Sequence, residues 1–176
     1  LDTEFKRYLE GDAVTAFFRE FDIKFSAGHW CAGEFSDRFC RSYTENPNFE
    51  RGTVADIRRV KEAGVEGIEL SDTLFRDENL KILPEEIEKV GEALEKYGIV
   101  PTNMNINIWT HARWTRGGVT HPNPQRRQEA IEYCLEVVDL AKKMKCPTVQ
   151  LWPGSDGWDY HFEVDYGRQI DWFIDA

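Results

Sequence analysis

The sequence predicts a parallel α/β fold, on two observations. A unit of amphipathic helix, glycine or proline and short apolar strand recurs along the chain, and each strand runs on into a longer, irregular loop. With 41% hydrophobic and 13% aromatic residues in a chain of 176, there is enough apolar material to bury a sizeable core.

Residues 1–20 read as an amino-terminal helical extension. Phe21 to Trp30 carries an apolar, β-tolerant run ending in Ala27 and Gly28, which predicts a short buried strand feeding a loop. Thr53 opens a helix, with Asp56 three residues on as an acidic capping partner. Val54, Ile57, Val60 and Lys61 keep helical spacing until Gly64 stops it, and Gly67 to Ser71 follows as a strand. Pro84 starts a second helix with Ile87, Val90, Leu94 and Tyr97 on one face; Gly98 ends it and Ile99 to Asn107 extends. A third helix runs from about Asn123 through Ile131, Leu135, Val138, Leu140 and Ala141 to Lys145, and Cys146-Pro147 leads into Thr148 to Trp152. Val164 to Ala176 begins another helix.

Parallel strands require helical crossovers, and two closures compete. A doubly wound open sheet needs about five strands, whereas a (β/α)₈ barrel needs about 250 residues. Roughly four strands in this length fit either an open sheet or the front half of a barrel. The chain reads as a single partial (β/α) domain: residues 21–176 run from the first strand to the start of the helix after the fourth, behind the extension at 1–20.

Acidic residues outnumber basic ones 32 to 22, a net charge of −10, which is the wrong sign for neutralising phosphates. Nucleic acid and membrane are therefore not expected as partners. No apolar run approaches the roughly 20 residues of a membrane span, and the first residues lack a signal-peptide pattern, so a cytoplasmic protein is expected. Leu1 in place of methionine suggests processing or a boundary. Cys31, Cys40, Cys134 and Cys146 show no CxxC pairing and read as free thiols.

In parallel β/α folds, ligands sit where the strands run out. Those places hold Gly28-His29-Trp30, Ser71-Asp72, Asn105 to His111 and Trp152-Pro153-Gly154. Trp30, Trp109 and Trp152 offer broad apolar faces that could stack on a sugar ring while neighbouring amides and hydroxyls bind its oxygens; they could equally be core tryptophans closing the top of the sheet. None of His29, His111, His121 and His161 has metal-motif spacing, and Glu69, Asp72 and Asp156 are too sparse for a divalent site. Asp72 reads either as a functional carboxylate or as a loop cap. No GxGxxG, GxxxxGK[ST] or GxSxG occurs.

At these positions the chain resembles the xylose isomerases and the wider group of xylose isomerase-like sugar isomerases. Phe25-Ser26-Ala27-Gly28-His29-Trp30 looks like the family's first strand. Asn107-Ile108-Trp109-Thr110-His111 with Gly117-Gly118-Val119-Thr120 looks like its third strand and loop, and Val149 to Gly154 like its fourth. The resemblance implies the first half of a TIM barrel belonging to a metal-dependent aldose-ketose isomerase. Its substrate would be a small-molecule sugar, flanked by Trp30 and Trp152, with Trp109 as an aromatic wall and His111 completing the substrate-binding set. Mg²⁺, Mn²⁺ or Co²⁺ would be the metals of the complete protein, acting as Lewis acids. Their carboxylates, and the family's catalytic lysine, would lie on strands beyond Ala176, so no metal ligand is expected in this segment.

One departure stands inside the matched part. The family's second strand ends in a histidine backed by an aspartate, which assists opening of the sugar ring, and the ungapped match puts Ser71 and Leu74 there. This points to a related sugar isomerase rather than to xylose isomerase proper, and leaves His29 and Asp72 as catalytic candidates. The family also forms oligomers, with an aromatic residue after the first strand reaching into a neighbour's site; Phe35 or Phe39 falls in that loop, and a homo-oligomer is expected. Two other readings stand beside this one. An abasic-site endonuclease barrel would want zinc ligands where Ser71 and Asn107 stand, and the charge repels DNA. A non-catalytic half-barrel would bind a sugar-like ligand, or assemble with another chain to cover its open strand edges.

Overall fold

The computed structural model describes residues 8–33, 48–153 and 162–176. Cys40, Phe35, Phe39, Gly154, Asp156 and His161 lie outside the described residues.

Helix α1 (Asp12–Glu20) precedes strand β1 (Ser26–Gly28), which turns directly into the short helix α2 (His29–Ala32). Then come α3 (Thr53–Glu62), β2 (Gly67–Ser71), α4 (Pro84–Tyr97), β3 (Val100–Asn107), α5 (Pro124–Lys143), β4 (Val149–Trp152) and α6 (Tyr166–Asp175). A 3₁₀ turn follows β2 at Asp72–Phe75, and another follows β3 at Ala112–Trp114.

The four strands are parallel and lie in the order β1-β2-β3-β4. Spatial order that follows chain order without reversal is the winding of a barrel. A doubly wound sheet turns back on itself at a switch point, and this one does not. The architecture is α/β, a run of parallel (β/α) units matching half a TIM barrel.

Side-chain alternation along each strand sorts the residues between two faces. Ile68 and Leu70 on β2, with Met104 and Ile106 on β3, point outward to the helices, where Ile57, Val60, Val90, Leu94, Val137 and Leu140 meet them in one buried cluster. Each such side chain contributes about 1.5–3 kcal/mol on leaving water. The opposite face is polar, with Glu69, Ser71, Asn105, Asn107 and Gln150 sharing it. Where Ile68 pairs with Pro101 but Glu69 with Asn103, the register slips by one residue at Thr102. There the Thr102 hydroxyl donates to Ile68 O at 3.2 Å and lies 2.6 Å from Ser26 Oγ.

Helix ends follow the sequence closely, with one exception. Asn123 Oδ1 accepts from Gln125 N at 2.9 Å to cap α5, and Asp165 Oδ1 accepts from Arg168 N at 3.1 Å to cap α6. At α3, however, the cap position is Gly52 and no side chain caps the helix. Asp56 is instead turned to the Arg59 guanidinium 2.5 Å away, a nearly buried ion pair that outcompetes the exposed amide. Among the described residues no helix is long and apolar enough to cross a membrane.

Candidate functional site

The carboxyl ends of all four strands open into one cavity of about 680 Å³. Its walls are Trp30, Trp109 and Trp152. Its floor is the polar face of the sheet, Glu69 and Ser71 from β2, Asn105 and Asn107 from β3 and Gln150 from β4, with His29 and Thr73 at the rim. The volume is that of a small-molecule site.

The tryptophans are not core residues. Trp30 and Trp152 are each 50% exposed and Trp109 37%, while among the described residues the tryptophan that serves the core is Trp114, at 2%. Trp109 and Trp152 meet edge to face with centroids 4.9 Å apart. Trp30 folds back over β1, and this requires a glycine: a Cβ on residue 28 would sit 2.4 Å from Trp30 Cε2. His29 stands edge-on to Trp30 at 5.2 Å, and burial pushes its imidazole below the usual histidine range.

Adjacent amides organise the floor. Asn105 Nδ2 donates to Glu69 Oε1 at 3.3 Å, and Asn103 Nδ2 donates to Gln150 Oε1 at 3.2 Å. Asn107 Oδ1 accepts from Trp109 N, Thr110 N and Thr110 Oγ1 at 3.3, 3.0 and 2.8 Å, a closed turn that carries Trp109 into the cavity. Ser71 accepts from Thr73 N at 3.4 Å and lies 3.0 Å from Thr73 Oγ1, capping the turn after β2. Leu74 packs against the core.

Of the residues singled out by sequence, His29, Trp30, Trp109 and Trp152 converge on the cavity. Asp72 and His111 do not line it. Asp72 follows Ser71 and so falls on the helix side of the sheet, fully buried. Its carboxylate accepts from Asn107 N at 2.8 Å, from Arg76 Nε at 3.2 Å and from the Tyr133 hydroxyl. Burial pushes its pKa up despite these donors, and burial together with Asp72's charge pushes the Tyr133 phenol up, keeping it a donor. His111 Nδ1 accepts from Arg113 N at 3.0 Å, which leaves the proton on Nε2 to be donated to Glu78 O at 3.1 Å. Both ring nitrogens are thereby committed to holding the loop after β3. Asn105 and Glu69, both marked at strand ends by sequence, do line the cavity, and Gln150, two residues before Trp152, is the lining residue that sequence reading missed. Counting back two residues from Trp152 would have found it.

As a metal site this donor set falls short. Among the described residues Glu69 is the single carboxylate on the cavity, and it already receives the Asn105 amide. Among the described residues no three of His, Cys, Asp and Glu converge.

Known proteins are similar to this chain in sequence and fold. The model of the xylose isomerase-like TIM barrel family matches residues 57–176. The chain is 22% identical over 156 residues to a xylose isomerase of Thermus thermophilus, covering 87% of this chain and 39% of that protein. It is 25% identical over 93 residues to a probable sugar isomerase of Mesorhizobium japonicum, covering 50% of this chain and 21% of that one. The chain spans well under half the length of these curated relatives. Among solved structures, a D-psicose 3-epimerase crystallised with D-fructose superposes with a TM-score of 0.54 at 16% identity, over 86% of this chain and 46% of that one.

Proposed function

Because the chain belongs to the xylose isomerase-like TIM barrel family, we propose that it is the sugar-gripping, amino-terminal portion of a sugar isomerase. The activity assigned is interconversion of an aldose and a ketose by the complete barrel. One observation carries the reading: three half-exposed tryptophans stand around a floor of amides, hydroxyls and one carboxylate in a single cavity. Aromatic faces stack on the C–H faces of a sugar, and the floor supplies donors and acceptors for its hydroxyls. A divalent cation, Mg²⁺, Mn²⁺ or Co²⁺, belongs to this reading as a cofactor of the whole protein, with its carboxylate ligands supplied from outside these residues.

Tryptophan fluorescence tests the binding half. Titration with D-xylose and D-fructose should change the emission saturably, and Trp152→Ala should weaken the response at least tenfold. Absence of any sugar-dependent change would sink the reading. The catalytic half is tested on the full-length protein, by following aldose-to-ketose conversion by NMR with and without added Mn²⁺.

A non-catalytic sugar-binding or assembling module remains the second reading. It is favoured by the unburied aromatic face of α1 and the segment after it, where Phe17, Phe21 and Phe25 are 38%, 59% and 54% exposed. Sedimentation over a concentration series measures whether copies of the chain associate, as the proposed homo-oligomer requires.

A further inference from the structure

Aldoses rest in water mainly as cyclic hemiacetals, and chemistry at the carbonyl begins only once the ring has opened, which calls for a base at the anomeric hydroxyl. In this chain, Ser71 at the end of β2 is a capping hydroxyl, while Asp72 and His111 are fully engaged on the far side of the sheet or in the loop. Among the described residues, the ionisable side chains lining the cavity are His29 and Glu69. A base must be oriented by a further group to act efficiently. Glu69 meets that condition: Asn105 holds its Oε1 at 3.3 Å, and its Oε2 accepts no hydrogen bond among the described residues. His29 makes only a ring contact with Trp30, and no hydrogen bond among the described residues fixes its imidazole.

Placement agrees with chemistry. Glu69 is on the inward face of β2, two residues before Ser71, and its register partner on β1 is Gly28. Trp30 folds over Gly28, so the carboxylate stands next to the aromatic surface on which a sugar ring would lie.

Resting on the sugar-isomerase reading, we propose that Glu69 is the catalytic base that opens the sugar ring. Its carboxylate takes the proton from the anomeric hydroxyl, and the O–H electron pair becomes the second bond of the new carbonyl. The bond between the anomeric carbon and the ring oxygen breaks, and its pair stays on that oxygen. Glu69 then returns the proton there. Both sugar oxygens sit on one carbon, so a single carboxylate can serve both, and no proton is gained or lost overall.

Mutarotation of freshly dissolved α-D-xylose, followed by polarimetry, tests this without any metal. The wild-type chain should accelerate it above the buffer rate. Glu69→Gln, which keeps an acceptor for Asn105, should lower the protein-catalysed increment by roughly 100-fold, with an unchanged melting curve and retained xylose-dependent fluorescence. Glu69→Asp should restore part of the rate. An unchanged increment in Glu69→Gln, or its loss in His29→Asn alone, overturns the assignment. So does a wild-type chain that binds xylose without accelerating mutarotation. A wild-type chain showing neither fluorescence response nor acceleration overturns the sugar reading itself.

Discussion

Tyr133→Phe deletes one oxygen on the helix side of the sheet and should be felt in the cavity. The lost hydroxyl donates to Asp72, a wholly buried carboxylate whose remaining donors are Arg76 Nε and Asn107 N. A hydrogen bond to a buried charge contributes about 1.5–3 kcal/mol, and for a chain of this size each kcal/mol moves Tm by about 2–4 °C. The variant should therefore melt about 3–12 °C below wild type. Acidification supplies the sign. Burial holds Asp72 above its ordinary pKa of 3.8, so the folded state takes up its proton first and gains stability as the pH falls from that raised value toward 3.8. Removing a donor raises the folded pKa further, so the variant gains more on acidification and its deficit shrinks. Urea unfolding at neutral pH and at about pH 5 measures both quantities. A deficit under about 0.5 kcal/mol at neutral pH, or one that widens on acidification, would refute the argument. Because Asp72 also holds the amide of Asn107, whose side chain closes the turn to Trp109, the near-ultraviolet circular dichroism of the Trp109–Trp152 pair should weaken as well.

Gly28→Ala places a methyl 2.4 Å from the Trp30 ring but leaves a backbone at φ −65° that alanine accepts. It should displace Trp30 and weaken the fluorescence response to xylose with little change in melting. Iodoacetamide at about pH 8 should modify exposed Cys31 ahead of Cys134 and Cys146, whose thiols burial pushes up to about 11; peptide mass spectrometry reads the order. Burial lowers the His29 pKa below 6.5, so its contribution to stability is present above 6.5 and lost as the pH falls through the folded value. His29→Asn should remove that acid-side loss, as read by melting across the same range.

Much of this fold was legible because its punctuation is local. Pro84 and Asn123-Pro124 open α4 and α5, Gly98 closes α4, and the 3.6-residue stripes between them need no tertiary information. Closure of the sheet was not legible in the periodicity, since a helix of either winding buries the same stripe; the strand-end motifs pointed to the barrel, and the order β1-β2-β3-β4 bears that out. The cap of α3 was misread for a similar reason. Whether Asp56 turns to an amide or to Arg59 depends on where a neighbouring guanidinium lies, and Arg59 also donates to Ala32 O, 27 residues away, at 2.6 Å.

The site shows the same division at the scale of a single residue. Strand ends point to the right place, but a strand places successive side chains on opposite faces. The neighbours Ser71 and Asp72 therefore belong to different chemistry, one facing the cavity and the other the helices. Charge drew attention to Glu69 and Asp72 alike, and parity separates them, assigning the open face to Ser71 and, two residues back, to Glu69. A carboxylate deep on that face lacks a loop's sequence signature and gains meaning only from Asn105 across the strand and Trp30 folded over Gly28. The two carboxylates thus differ in kind: Asp72 fixes the scaffold by being satisfied, while the proposed ring opening uses the Glu69 oxygen that accepts no hydrogen bond among the described residues.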